Sequence, residues 1–269
     1  MFLSHPSPIR ARRHAASAFT LIELLTVIAI IGILAAIVIP TVGTVREKAQ
    51  RAVDANNLRE ILKAAQIYAG DNQDRLPDPQ NISTTILNAP QRAFLWSGIL
   101  AKNNILSDPT FYFAKNDAAF DGNYPQFIIN PSAQRNSLHS SFTNGRSPSW
   151  EFVGGVKMGD TPTTPVIYTR GLQTNGLWSA TSGVYKDTGG YIAFLGGSIS
   201  FYPNVSTNSP FYSNNPNSTS TTRPTNILQA IPFNTANTNL SGRIYGVPPS
   251  SGAGGMIGSA NGTLAQRGP

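Results

Sequence analysis

From Ala18 to Ile39 the chain is apolar or small at nearly every position, and Glu23 is the only charged side chain in the run. Phe19 to Ile39 is 21 residues, about 31 Å as a helix at 1.5 Å per residue, enough to cross a bilayer core of about 30 Å. A secretory signal core normally spans about 7–15 residues and ends in a small-residue site. This run is longer and ends at Pro40, so the pattern predicts a membrane-spanning helix. Beyond Pro40 the apolar positions become periodic. Leu58, Ile61, Leu62, Ala65 and Tyr68 fall on one helical face, and Val42, Val45, Ala49 and Val53 are expected to continue the stripe backwards. Gly70 followed by Asp71 and Asn72 reads as the stop. The expectation is one long helix from about Phe19 to Tyr68, apolar all round in its first half and amphipathic in its second.

The amphipathic half needs a surface to lie on, and residues 73–202 supply candidates for it. Ala93–Lys102 reads as a short helix. Phe127–Ile129, Glu151–Val156, Val166–Thr169 and Val184–Lys186 read as strands. Tyr191–Leu195 and Ser198–Tyr202 flank Gly196-Gly197, which predicts a hairpin with a two-residue type I′ turn and positive φ at both glycines. The fold class expected is therefore α+β, a long N-terminal helical spine packed on a small antiparallel sheet. From Pro203 the composition shifts to Asn, Ser, Thr, Pro and Gly, with Ser218–Thr222 as its low-complexity centre, and no Asp or Glu follows Asp187. Ile227–Pro232 and Arg243–Val247 are apolar islands that could return as edge strands, and Gly252–Pro269 is expected to be mobile. The organisation expected is a basic leader (1–18), an apolar half-helix (19–39), an amphipathic half-helix (40–72), a compact head (73–202) and a partly disordered C-terminal region (203–269).

Charge narrows the function. The formal charge is +7 with only 12% charged residues, and Arg10, Arg12 and Arg13 supply three of the seven just ahead of the apolar run. The remaining charges are scattered singly, without the clustering a nucleic-acid groove needs. By the positive-inside rule the Arg cluster places the N-terminus in the cytoplasm and everything after about residue 40 across the membrane. With no cysteine, disulfides and Cys/His zinc sites are excluded. After the leader the only histidine is His139, expected to be a solvated loop residue because no nucleophile-elbow pattern accompanies it. Asp71, Asn72, Asp74 and Asp78 are oxygen-rich enough to raise calcium, but helix capping and turn formation explain them better. No catalytic, metal or cofactor site is expected.

Glu23 is the exception. A carboxylate at bilayer depth costs roughly 2.5–3.5 kcal/mol on insertion scales and marks function by default. The stretch Ala18-Phe19-Thr20-Leu21-Ile22-Glu23-Leu24-Leu25, then Ile28–Ala36 and Pro40, resembles the class III signal of type IV pilins and type II secretion pseudopilins. That resemblance implies a prepilin peptidase cutting between Ala18 and Phe19 and methylating the new amino group of Phe19. It also implies a helix that first anchors the subunit in the inner membrane and then forms the core of a periplasmic or extracellular filament. Glu23 would pair with the Phe19 ammonium of another subunit, and Pro40 would loosen the helix there. Ala18 stands where the family usually has Gly, which implies slower processing. Other pilin or pseudopilin subunits and an inner-membrane assembly platform are the partners implied.

Asn56–Arg59, Tyr68–Asn72 and Leu76-Pro77 are similar to the helix exit of a pseudopilin-like group abundant in Planctomycetes and Verrucomicrobia. That group's closing hairpin commonly carries a His and an Asp where this chain has Lys186 and Gly196, so only the turn's structural role carries over. Adhesive pilins staple their C-terminal region with a disulfide and the major type II pseudopilin uses calcium there. Neither device fits a chain with no cysteine and no carboxylate after Asp187. The rival expectation is a minor tip pilin or surface adhesin that grips polysaccharide through Trp96, Trp150 or Trp178. Burial of all three would count against it.

Overall fold

The computed structural model describes residues 19–82, 87, 91–132, 134–205, 224, 226–234, 236–238, 241–247 and 257–266. The leader with Ala18, and Ser218–Thr222, lie outside the described residues. The chain divides into two units, residues 1–49 and 50–269.

Apart from Phe19 and Thr20, the described part of the first unit is helix. It carries the opening turns of α1 (Leu21–Asp71), a helix that includes Pro40 in its interior. Proline removes one backbone donor and crowds the carbonyl four residues back, yet α1 runs through it.

In the second unit α1 lays Asp54, Leu58, Ile61, Leu62, Ala64, Ala65 and Ala69 into the core. The stripe expected through Val42, Val45, Ala49 and Val53 is not buried, and all four residues are exposed. The buried face extends backwards through Asp54 instead. That carboxylate accepts the Tyr185 hydroxyl at 2.6 Å and the Gln50 amide at 3.2 Å. The Arg51 guanidinium lies 4.6 Å from the Phe201 ring centroid and 5.3 Å from that of Tyr185. Polar groups thus make the first turn of the helix's contact with the head. Burial pushes the Asp54 carboxyl above its ordinary range despite the bond from Tyr185. Farther along, Gln66 Nε2 donates to the Leu195 carbonyl at 2.9 Å. Past Asp71 the chain turns through Gln73 and Asp74, both with left-handed φ near +57°.

The core of the second unit is a six-stranded antiparallel sheet in the order β4-β3-β2-β1-β5-β6. The strands are β1 (Trp150–Gly154), β2 (Pro165–Thr169), β3 (Gly190–Phe194), β4 (Ile199–Tyr202), β5 (Arg243–Tyr245) and β6 (Thr263–Leu264). The first four form a meander; β5 then returns to the far side of β1, and β6 becomes the edge. β1 and β2 are buried at every position, as central strands covered on both faces should be. α2 (Ala93–Lys102) forms over the residues expected and stacks Trp96 on Phe152, with centroids 4.7 Å apart. Its indole N–H donates to the Val153 carbonyl at 3.2 Å. With the amphipathic half of α1 and this sheet, the α+β spine-on-sheet expectation is realised.

Three local expectations need correction. The β3–β4 hairpin is not closed by a two-residue type I′ turn. Gly197 N–H bonds to Phe194 O at 2.9 Å and Phe194 N–H to Ser198 O at 2.9 Å, and of the two glycines only Gly197 has positive φ, +91°. That is a three-residue loop, a type I turn closed by a left-handed bulge glycine. Val184–Lys186 is not a strand: Tyr185 is drawn to Asp54 and the chain enters a single 3-10 turn at Lys186–Thr188. Phe127–Ile129 contributes only an isolated bridge, Ile129 with Leu138. Pro125 and Pro131 on either side withhold the donors a ladder needs.

Candidate functional site: an apolar helix headed by a carboxylate

Thr20 and Glu23 open α1 as a reciprocal cap. The Thr20 backbone N–H donates to Glu23 Oε2 at 2.9 Å, the Thr20 hydroxyl to the same oxygen at 2.7 Å, and Glu23 N–H to Thr20 Oγ1 at 3.3 Å. This is a capping box, which satisfies helix donors that have no partner in the first turn. It leaves Glu23 Oε1 without a hydrogen bond among the described residues.

The cap sits at the head of a surface the chain does not cover. Every Leu, Ile and Val from Leu21 to Ile39 is at least 46% exposed. The most apolar 18 residues of α1 have a mean hydropathy of 2.9, and none of that stretch is buried. At about 25 cal/mol per Å² of apolar area, so long an uncovered stripe is strongly unfavourable in water. Lipid or other copies of such a helix must cover it. The small residues Ala29, Gly32, Ala35 and Ala36 allow close helix approach, and a Cβ added at Gly32 would meet nothing within 4 Å.

The other candidate residues are placed as follows. Phe19 is described and exposed. His139 accepts the Ser141 N–H at Nδ1, 3.2 Å, and so caps the one-turn helix α3 (Ser140–Thr143). Asp78 caps a 3-10 turn, accepting from Gln80 N–H at 3.0 Å and from the Asn81 amide at 2.7 Å. No group of three His, Asp or Glu is placed to hold a metal among the described residues. Trp96, Trp150 and Trp178 are all buried.

Sequence reasoning passed over two buried ionic centres in the head. Arg170 pairs with Asp117 at 2.6 Å with both side chains buried, and also donates to the carbonyls of Ser147, Pro148 and Ser182. Glu151, on β1, accepts the Tyr168 hydroxyl and the Gly258 N–H at 2.6 Å each and the Gly171 N–H at 3.2 Å. Burial pushes its carboxyl up to about 7. The available signal was a lone charge inside an apolar strand run, Trp150-Glu151-Phe152-Val153.

The family profile described as the prokaryotic N-terminal methylation motif matches residues 13–39. The chain is 34% identical over 91 residues to the type IV wide pilus major component PilA4 of Thermus thermophilus, an alignment covering 29% of this chain and 70% of that protein. No solved structure matches.

Proposed function

We propose, for a chain that belongs to the type IV pilin and pseudopilin family, the role of a filament subunit matured at Ala18/Phe19 and N-methylated at Phe19. The family is structural, and the chain is a pilin-like subunit held in the membrane by its N-terminal helix before assembly. The observation that carries this reading is the uncovered apolar face from Leu21 to Ile39 with a single carboxylate at its head. A prepilin peptidase releases the leader, whose arginines keep it on the cytoplasmic side while the head faces the periplasm. An inner-membrane assembly platform then passes the helix from lipid into the core of a type II secretion pseudopilus or a related type IV filament. There Glu23 exchanges its bonds to Thr20 for the Phe19 ammonium of a neighbouring subunit. Each charge alone is costly to bury and the pair offset one another. A subunit one register out of place would leave both unpaired, so the pair also sets the axial stagger. Pro40 supplies the point at which the helix can loosen.

A second reading, a minor tip subunit that binds polysaccharide, draws support from one place on the head. Phe127 is 44% exposed and lines a cavity of about 460 Å³ together with Asn130, Ser132 and Arg135. Burial of all three tryptophans counts against it. Fibres sheared from cells and labelled with an antibody to the head distinguish the two. Labelling along the whole fibre is the expected result, labelling at the tips alone would favour the second reading, and unlabelled fibres would overturn both.

A further inference from the structure

The cavity of about 460 Å³ on the head presents two side chains that the fold holds in place, Arg135 and Phe127. Residues 128–130 and 137–139 run side by side, joined by the Ile129–Leu138 bridge. Asn130 N–H bonds to Ser137 O and His139 N–H to Ile128 O, 2.9 Å each. The loop between these arms carries Arg135 at φ +47°, a left-handed conformation rare for a long side chain. The Arg135 guanidinium is tied to the end of α2, donating to the Ala101 carbonyl at 2.6 Å and to Asn104 Oδ1. A cation favoured at a helix C-terminus accounts for those two bonds. The other three of its five N–H groups have no hydrogen-bond partner among the described residues. Phe127 packs edge-to-face on the His139 imidazole, centroids 5.6 Å apart, and that imidazole lies 2.7 Å from the Ser141 hydroxyl. The Phe127 ring is therefore both exposed and fixed.

We infer that this cavity binds a sugar residue carrying a carboxylate, a uronate of an acidic polysaccharide. The inference rests on the polysaccharide reading of the same cavity, and it holds for a subunit along the fibre as well as for one at the tip. Arg135 is the only charged side chain among the described residues that line the cavity, so its charge is left for a ligand to answer. A guanidinium fork matches a carboxylate through two parallel bonds. Ser107, Asn130 and Ser132 supply the rest of the polar lining, hydroxyl and amide groups that both donate and accept, as sugar hydroxyls do. Phe127 offers an apolar surface for the C–H face of a pyranose ring. A volume of about 460 Å³ falls within the roughly 300–1,000 Å³ of small-molecule sites. An acidic peptide would also answer Arg135, but one aromatic face beside a hydroxyl and amide lining fits a ring with an apolar face and a polar edge better. The left-handed Arg135 is then backbone strain kept where a ligand is held.

Calorimetric titration and saturation-transfer NMR of the full chain in detergent micelles test this, with trigalacturonate and its fully methyl-esterified form as probes. The acid should bind about tenfold or more tightly than the ester, which keeps the shape and loses the charge. Arg135→Asn keeps a residue that tolerates the left-handed turn. It should weaken binding of the acid about 10- to 100-fold and leave the ester and the unfolding temperature unchanged. Phe127→Ala should weaken both probes alike. Equal affinity for acid and ester would overturn the carboxylate assignment while sparing the polysaccharide reading, and no binding of either would overturn both. Triglutamate binding as tightly as trigalacturonate would make this an acidic-peptide site and overturn the sugar. Acid binding unchanged in Arg135→Asn would overturn the role given to Arg135.

Discussion

Glu23→Ala should abolish filament assembly while leaving the amount of protein in the membrane unchanged or higher. The two effects have opposite signs because the carboxylate acts differently in the two environments. In the bilayer it is a cost of roughly 2.5–3.5 kcal/mol, so its removal eases insertion. Loss of the cap with Thr20 costs the helix start about 1 kcal/mol, too little to reverse that gain in a helix of 51 residues. In a filament core the Phe19 ammonium would be left buried without its counter-charge, a penalty of several kcal/mol per ion, or roughly a 100-fold or greater loss in assembly. Glu23→Gln should behave similarly, since it keeps the shape and loses the charge. The check is the ratio of sheared filament to membrane-bound subunit. Equal reduction of both fractions would mean that Glu23 serves insertion and not assembly.

The second large effect belongs to the head. Arg170→Met should destabilise it by about 3–5 kcal/mol, the usual consequence of stranding one partner of a buried ion pair. Asp117 would keep its bond from the Ser149 hydroxyl at 2.6 Å but lose the guanidinium. The carbonyls of Ser147, Pro148 and Ser182 would lose their donor. For a folded unit of this size the shift is on the order of 10 °C in Tm, readable from the fluorescence of the three buried tryptophans. Adding Asp117→Asn to Arg170→Met should recover part of the loss, because a neutral amide is cheaper to leave in the same place. A double variant as unstable as the sum of the singles would show that the two side chains act independently.

How far the sequence could be read depended on whether one kind of force decided a segment. The apolar run of α1 and the ten residues of α2 were legible because burial or lipid exposure alone sets them. β1 to β4 were legible from their apolar, β-branched and aromatic content. The stripe through Val42, Val45 and Val53 misled because the true contact of α1 at that end is polar, made by Asp54 with Tyr185 and by Arg51 with two rings. Nothing local distinguishes a carboxylate that will meet a tyrosine 131 positions away from one that faces water. The place of β5 and β6 is likewise non-local. Arg243–Val247 reads as an apolar island, but the pairing of its Arg243–Tyr245 with the central strand β1 follows from the return of the chain across the sheet. At the candidate site the cap between Thr20 and Glu23 follows from the Thr-x-x-Glu spacing. The assembly role assigned to Glu23 comes from the family.

Maturation at one bond separates a filament subunit from a plain membrane anchor, and it is read from the N-terminus of the protein taken from native membranes and sheared filaments, by intact mass and N-terminal peptide mass spectrometry. The expected chain begins at Phe19 and carries one additional methyl group. A chain that begins at Met1 in both fractions would rule out maturation at Ala18/Phe19, reducing the apolar helix to a plain membrane anchor and leaving the head to supply the function.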